Sequence, residues 1–214
     1  MMSLFADRAD AGGRLGSRLS RFRDSDAVVL GVPLGGVPVA FEVARALRVA
    51  LDVIVVRKLD VGSHPELGMG AVGEDDVRII NDEVLWRTGV SADEISRAVG
   101  AARAEVDRLA ARLRAGRPRA RVRGRSAIVV DDGIATGSTA HTACRTAHEL
   151  GATEVVLAVP FAPPHALERL EEVTDEQVCL ASTSEPGSFR QSYLFFPAVT
   201  EAEVADLLRR STSG

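Results

Sequence analysis

The chain is short of several things that would each have marked a class of protein. It has only two cysteines, Cys144 and Cys179, in 214 residues. That is too few for a disulfide framework, so a reducing cytoplasm is the expected address. Of its four histidines, His141, His148 and His165 show no ligand spacing with cysteine or acid, and no zinc site is expected. Aromatic residues make up 4%, with one Trp and one Tyr, which leaves few platforms on which nucleic-acid bases could stack. The longest apolar run, Ala27 to Phe41, is broken by glycine and proline and is too short to span a bilayer, so no membrane partner is expected. Met1 to Gly13 lacks the apolar centre of a signal peptide. No repeat or low-complexity tract is visible.

What is present is enough to fold. An apolar fraction of 46% supports a core, and the length fits a single domain, 1–214. A net charge of −4 counts against bulk nucleic-acid binding. Arg112 to Arg125 holds seven arginines and no acid, and such a run can grip RNA phosphates. It closes a helix and enters a strand with no aromatic beside it, so a solvated face is the stronger reading.

Periodicity orders the elements. Arg8 to Arg23 reads as a surface helix and Asp26 to Val32 as an apolar strand, with a helix over Val37–Leu47. Ala50 to Val56 reads as a second strand ending at Arg57-Lys58. Residues 59 to 70 are loop-like, with short extended pieces near Gly70–Gly73 and Val77–Ile80. Ser91 and Glu94 have capping-box spacing before the apolar series Ile95, Val99, Ala102, Val106, Leu109 and Leu113. Later come a helix from Ala140 to Leu150, a strand at Glu154–Pro160, a helix near His165–Glu172, a strand at Gln177–Ala181 and a closing helix from Thr200. Strands separated by helices make an α/β fold, a doubly wound, mainly parallel sheet flanked by helices.

One stretch carries chemistry. Ala127 to Val130 is a buried strand by composition, followed by Asp131 and Asp132, then Gly133-Ile134-Ala135-Thr136-Gly137-Ser138-Thr139 and the next helix. Ligands of open α/β sheets bind beyond such strand ends. A loop opening a helix offers free N–H groups and a positive dipole end, which suit a phosphate. Carboxylates suit sugar hydroxyls, which donate to them. A simple cap would need one hydroxyl and no acid pair. A nucleotide P-loop would need Gly-Lys-Ser/Thr, and the stretch has no lysine. Together these features imply a phosphorylated sugar with a divalent metal. A second turn, Gly31-Val32-Pro33-Leu34-Gly35-Gly36, also offers a backbone nest for an anion.

Asp131 to Thr139 resembles the phosphoribosyl-pyrophosphate (PRPP) motif of type I phosphoribosyltransferases. The resemblance covers most of residues 25 to 182. It is nearest to the uncharacterised, predicted phosphoribosyltransferases that carry a Pro-x-Gly-Gly-Val-Pro-Val-Ala segment, here Pro33 to Ala40. It implies a small hood, built here from 1–25 and 182–199, where Phe189, Tyr193, Phe195 and Phe196 offer a ring to stack on a base. It implies PRPP and a nitrogenous acceptor as substrates, Mg2+ as cofactor, pyrophosphate as product and a homodimer. Carried over residue by residue, Gly133, Ile134, Ala135, Thr136, Gly137, Ser138 and Thr139 bind the sugar phosphate. Asp131 and Asp132 hold the ribose hydroxyls and magnesium, directly or through hydroxyls or water. Leu34, Gly35 and Gly36 match the pyrophosphate loop, Arg57 and Lys58 approach the pyrophosphate, and residues 59–70, with His64 and Glu66, match a mobile flap.

Two positions depart from relatives. Leu34 stands where most of the subgroup has arginine or lysine, which removes a charge-assisted hydrogen bond of about 1.5–3 kcal/mol and counts against efficient turnover. Ala135 stands where hypoxanthine- and guanine-type relatives have an aspartate that handles a purine proton. Alanine transfers none, so a pyrimidine-like or non-nucleobase acceptor is expected. The alternatives are a non-catalytic PRPP- or nucleotide-sensing regulator that binds RNA or a protein partner, and a generic sugar-phosphate enzyme.

Overall fold

The computed structural model describes residues 4–59, 70–80, 86, 89–182 and 192–211. In chain order these give α1 (Arg8–Arg18), β1 (Val28–Gly31), α2 (Gly36–Leu47), β2 (Ala50–Val53), β3 (Val56–Leu59), β4 (Gly70–Gly73), β5 (Arg78–Ile80) and α3 (Ala92–Arg114). Then follow β6 (Ser126–Val130), α4 (Ser138–Glu149), β7 (Glu154–Ala162), α5 (Pro164–Leu170), β8 (Glu176–Ser182) and α6 (Glu201–Arg210).

Five of the strands form one parallel sheet in the order β2-β1-β6-β7-β8. Their side chains alternate between two apolar layers, as strand geometry requires. Val29, Ile128, Val130, Val156 and Ala158 face one layer, which is completed by α2, α3 and α6 through Val43, Leu47, Val106, Leu113 and Leu208. Val28, Leu30, Ala127, Val129, Val155 and Leu157 face the other, against Ala143, Cys144 and Ala147 of α4 and Leu170 of α5. Both faces of the central strands are covered, so β1, β6 and β7 are buried along nearly their whole length and read as apolar runs. The doubly wound, mainly parallel α/β architecture is the one expected.

A second, antiparallel sheet, β3-β4-β5, was not expected. Ala50 to Val56 is apolar apart from Asp52 and has no glycine or proline to break it, yet it serves two sheets. Ile54 N still donates to Gly31 O at 3.1 Å. One residue on, Val55 N donates to Glu74 Oε1 at 3.2 Å, and the chain leaves the large sheet for the small one. Arg57 and Lys58 therefore lie inside β3 rather than at the end of the second parallel strand.

The long helix is held as its sequence demands. Ser91 Oγ accepts from Glu94 N at 3.3 Å, and Glu94 Oε2 takes the Ser91 N–H at 3.0 Å. No helix among the described residues is long and apolar enough to cross a membrane. The register of the large sheet sets the position of the site. Gly31 pairs with both Val53 and Val130, so β1 and β6 end level and the chain leaves them side by side.

Candidate functional site

Two loops meet at this carboxyl edge. Val130 O accepts from Val32 N at 2.9 Å, which ties the turn after β1 to the turn after β6. The first turn, with a cis Pro33–Leu34 peptide, lies directly on the twin acids. A Cβ on Gly35 would stand 2.1 Å from Asp132 Oδ2, and one on Gly36 would stand 2.8 Å from the Asp131 Cα. Only glycine permits this approach, and the sequence supplies two. The Gly36 N–H is spent on Val32 O at 3.0 Å. The N–H groups of Leu34 and Gly35 have no acceptor among the described residues. Leu34 turns its side chain against the core layer that holds α2, so this loop presents backbone rather than charge.

Beyond β6 the chain rolls over a ring. Gly133 has φ +151°, and a Cβ there would enter the Phe161 ring at 2.3 Å. Ile134 N then bonds Phe161 O at 3.0 Å, and the Ile134 side chain is buried in the layer beneath α4. Ala135, Thr136 and Thr139 are exposed. Gly137, in the left-handed region, precedes α4, and no side chain caps that helix. The N–H groups of Thr136, Gly137, Ser138 and Thr139 consequently have no acceptor among the described residues. Four uncapped donors at a helix N-terminus form an anion cradle.

Charge reaches this cradle from the small sheet. Lys58 Nζ donates to Ser138 Oγ, and Ser138 Oγ lies 3.2 Å from Thr136 Oγ1. Lys58 is the only lysine in a chain with 26 basic residues. Arg57, its neighbour in β3, points to the other side, as alternate strand residues must. There it pairs with Glu105 of α3 at 2.9 Å, so the structure brings Lys58 to the loop and Arg57 to a helix. His64 and Glu66, with the rest of 60–69, lie outside the described residues, as does Phe189.

The acids differ in their surroundings. Asp131 Oδ1 accepts from Asp132 N at 2.8 Å. Burial, reinforced by the neighbouring Asp132 charge, holds the Asp131 carboxyl well above the ordinary carboxylate range. Asp132 is 8% exposed. Its burial also raises it, but Arg8 opposes the shift. Arg8 comes from α1, and its Nε donates to Asp132 Oδ2 at 2.9 Å. Tyr193 donates its hydroxyl to Asp132 O at 2.8 Å, and burial pushes this phenol up, so it remains a donor. Neither Arg8 nor Tyr193 was reached from sequence as a neighbour of the acids.

The N-terminal segment and residues 192–197 adjoin at this end of the sheet. Phe5 bridges to Tyr193, and Phe5, Ala11, Phe161 and Tyr193 make a small apolar cluster. Leu194 and Phe195 are exposed. The arrangement as a whole can hold an anion on α4, offer the carboxyl groups of Asp131 and Asp132 to hydroxyls beside it, and present a second backbone nest opposite. No cluster of three or more His, Cys, Asp or Glu side chains suited to a metal occurs among the described residues.

Comparison with known proteins bears on this geometry. A family model described as "Phosphoribosyl transferase domain" matches residues 7–184. Two curated Mycobacterium tuberculosis proteins, "Putative phosphoribosyl transferase MT0597" and "Putative phosphoribosyl transferase Rv0571c", are each 47% identical over 210 residues. The match covers 98% of this chain and 47% of theirs, so the chain spans about half the length of these relatives. The crystal structure of TT1426 from Thermus thermophilus is 37% identical, covers 98% of this chain and 99% of its own, and superposes with a TM-score of 0.87.

Proposed function

The chain belongs to the phosphoribosyl transferase family, and we propose that it uses PRPP and magnesium to transfer a phosphoribosyl group to a nitrogenous acceptor, releasing pyrophosphate. The observation that carries this reading is the row of unpartnered N–H groups at Thr136–Thr139 beside Asp131 and Asp132, closed from the opposite side by Gly35. In it the 5-phosphate lies on the α4 N-terminus, with Lys58 and Ser138 adding a cation and a hydroxyl. The ribose hydroxyls donate to the twin acids. The pyrophosphate lies along the N–H groups of Leu34 and Gly35.

No protein nucleophile is needed. The acceptor nitrogen attacks the anomeric carbon as the bond to pyrophosphate breaks, through a state with cationic character on the sugar. The protein contributes by holding both ends of PRPP so that the acceptor and the anomeric carbon meet in line. The twin acids fit a magnesium ion shared with substrate, since this ion takes one or two carboxylates and completes its shell with phosphate oxygens and water. Asp131 and Asp132 would hold it, directly or through hydroxyls, and when bound it neutralises charge on the leaving group.

Ala135 is exposed on the loop and has no proton to give or take. The acceptor in this reading is therefore a pyrimidine-like or non-nucleobase compound, which approaches beneath the hood expected from 1–25 and 182–199. The test is a screen of the purified chain with PRPP, magnesium and a panel of bases and amines, following pyrophosphate release. Release with one acceptor, abolished when Asp131→Asn and Asp132→Ala are combined, is the expected result. PRPP uptake unaltered by that double substitution overturns the reading. Leu34 favours a second one, a PRPP sensor without turnover, because its half-buried side chain packs against the core and leaves the loop without a cation. PRPP binding with no release against any acceptor would select it.

A further inference from the structure

The packing of α1 brings its first residue into the twin-acid site. Gly12 and Gly16 lie one turn apart on the face that meets α2. A Cβ on Gly12 would stand 2.6 Å from Val39 O, and one on Gly16 would stand 2.6 Å from the Ala46 Cβ. Nothing larger than hydrogen fits at either point, so α1 seats on α2 in one position. Arg8 is one turn ahead of Gly12 on that face, and Asp7 fixes the helix start by accepting from Asp10 N at 2.9 Å.

The guanidinium is then held from several directions. Nε and Nη2 each lie 2.9 Å from Asp132 Oδ2, and Nη1 donates to Pro197 O at 2.7 Å. Its flat face lies 3.8 Å from the centre of the Phe196 ring. That ring stacks on Tyr193 with centroids 4.9 Å apart, and the Tyr193 hydroxyl bonds the backbone of Asp132 itself. Arg8 is 8% exposed. A charge so enclosed, hydrogen-bonded through Nε to one carboxylate oxygen with Nη2 at ion-pair distance from the same oxygen, is placed rather than incidental.

We propose that Arg8 is a positioning residue for the sugar end of the substrate: it clamps Asp132 through a hydrogen bond to Oδ2 and leaves Oδ1, to which it makes no hydrogen bond, for a ribose hydroxyl. This rests on the PRPP-binding reading and adds to it a residue from the far end of the chain. Lysine at this position would keep the charge but lose the fork that reaches Asp132 and Pro197 together.

The experiment is calorimetry with magnesium present, PRPP and inorganic pyrophosphate being titrated separately into wild type, Arg8→Gln, Arg8→Lys and Arg14→Ala. Arg14 is on the same helix in an exposed pair with Asp10 and serves as the control. Expected is a loss of PRPP affinity of about ten- to a hundredfold in Arg8→Gln, in line with residues that orient a ligand group from behind. Arg8→Lys should recover part of it, while pyrophosphate affinity stays at the wild-type value in every variant. A structural role would instead weaken both ligands together and alongside the melting temperature, and that result overturns the proposal. If Arg8→Gln does not fold, Arg8→Lys decides by the same contrast between the two ligands. Wild type that takes up no PRPP refutes the functional reading, and the role of Arg8 falls with it. Wild type and Arg8→Gln binding PRPP equally refutes the role of Arg8 alone.

Discussion

Arg114 and Arg8 are each 8% exposed and each face buried carboxyl groups, but the two clusters close in different ways. Arg114, at the end of α3, donates through Nε to both oxygens of Asp52, at 2.8 and 3.2 Å. It also bonds both oxygens of Glu74 and, through Nη2, Val53 O at 3.1 Å. Backbone donors fill what remains: Val53 N and Ala120 N on Asp52, each at 2.8 Å, and Val55 N on Glu74. All four carboxylate oxygens are taken, and the cluster joins β2, α3 and the turn after β4. Around Arg8 the one hydrogen bond and the ion-pair contact to Asp132 both fall on Oδ2, and a second carboxyl, Asp131, stands beside it. A saturated network fastens elements together, whereas this one keeps acceptor capacity to spare.

The sharpest way to break this contrast is to remove a member of the closed cluster. Asp52→Ala leaves Arg114 with Glu74 as its one carboxylate and the N–H groups of Val53 and Ala120 without their acceptor, and should cost about 2–4 kcal/mol in urea unfolding, with PRPP affinity of the folded fraction unchanged. Loss of affinity out of proportion to stability would make the two clusters alike. At the open cluster the effects should reverse. Asp131→Asn should weaken PRPP binding by about 1.5–3 kcal/mol in calorimetry, yet stabilise the ligand-free protein. The sign follows from its raised carboxyl. The folded state holds the proton more tightly than the unfolded chain, so stability is lost as pH rises above the ordinary value of 3.8 through the folded one. Wild type should therefore melt progressively lower across that range, and Asp131→Asn should flatten the slope. Parallel melting curves would mean that the acid pair stores no strain.

Smaller effects sharpen the picture. Lys58→Ala should reduce PRPP affinity about tenfold, with a difference from wild type that shrinks as salt is added, because the lysine is exposed. Arg57→Ala, one residue away but turned to Glu105, should change stability by no more than about 0.5 kcal/mol and leave PRPP binding alone. Equal losses at both positions would show that strand alternation does not separate their roles.

What could be read from sequence follows the range of the interactions. The β6-loop-α4 unit was legible because everything that makes it, an apolar strand, glycines and hydroxyls at a helix start, is contiguous. So was α3, whose caps and apolar stripe lie within one helix. The division of Ala50–Val56 between two sheets was not, because it turns on a bond to Glu74, 19 residues away, and no local breaker announces it. The different directions of Arg57 and Lys58 followed from that hidden strand. Arg8 was indistinguishable from the other arginines of its segment, since its partner is 124 positions along the chain. Leu34 was legible as a missing cation but not as a residue packed against the core.

The bonds of Arg8 to Asp132 and to Pro197 span 124 and 189 positions. During synthesis, then, the anion cradle and its acids emerge well before the residues that brace them. A nascent chain halted after α4 would carry a recognisable motif but an unbraced one, because the wall formed by Tyr193, Phe196 and Pro197 has yet to leave the ribosome. Competence for ligand should therefore arrive late and at once, when the last stretch docks beside the first helix, rather than growing with chain length.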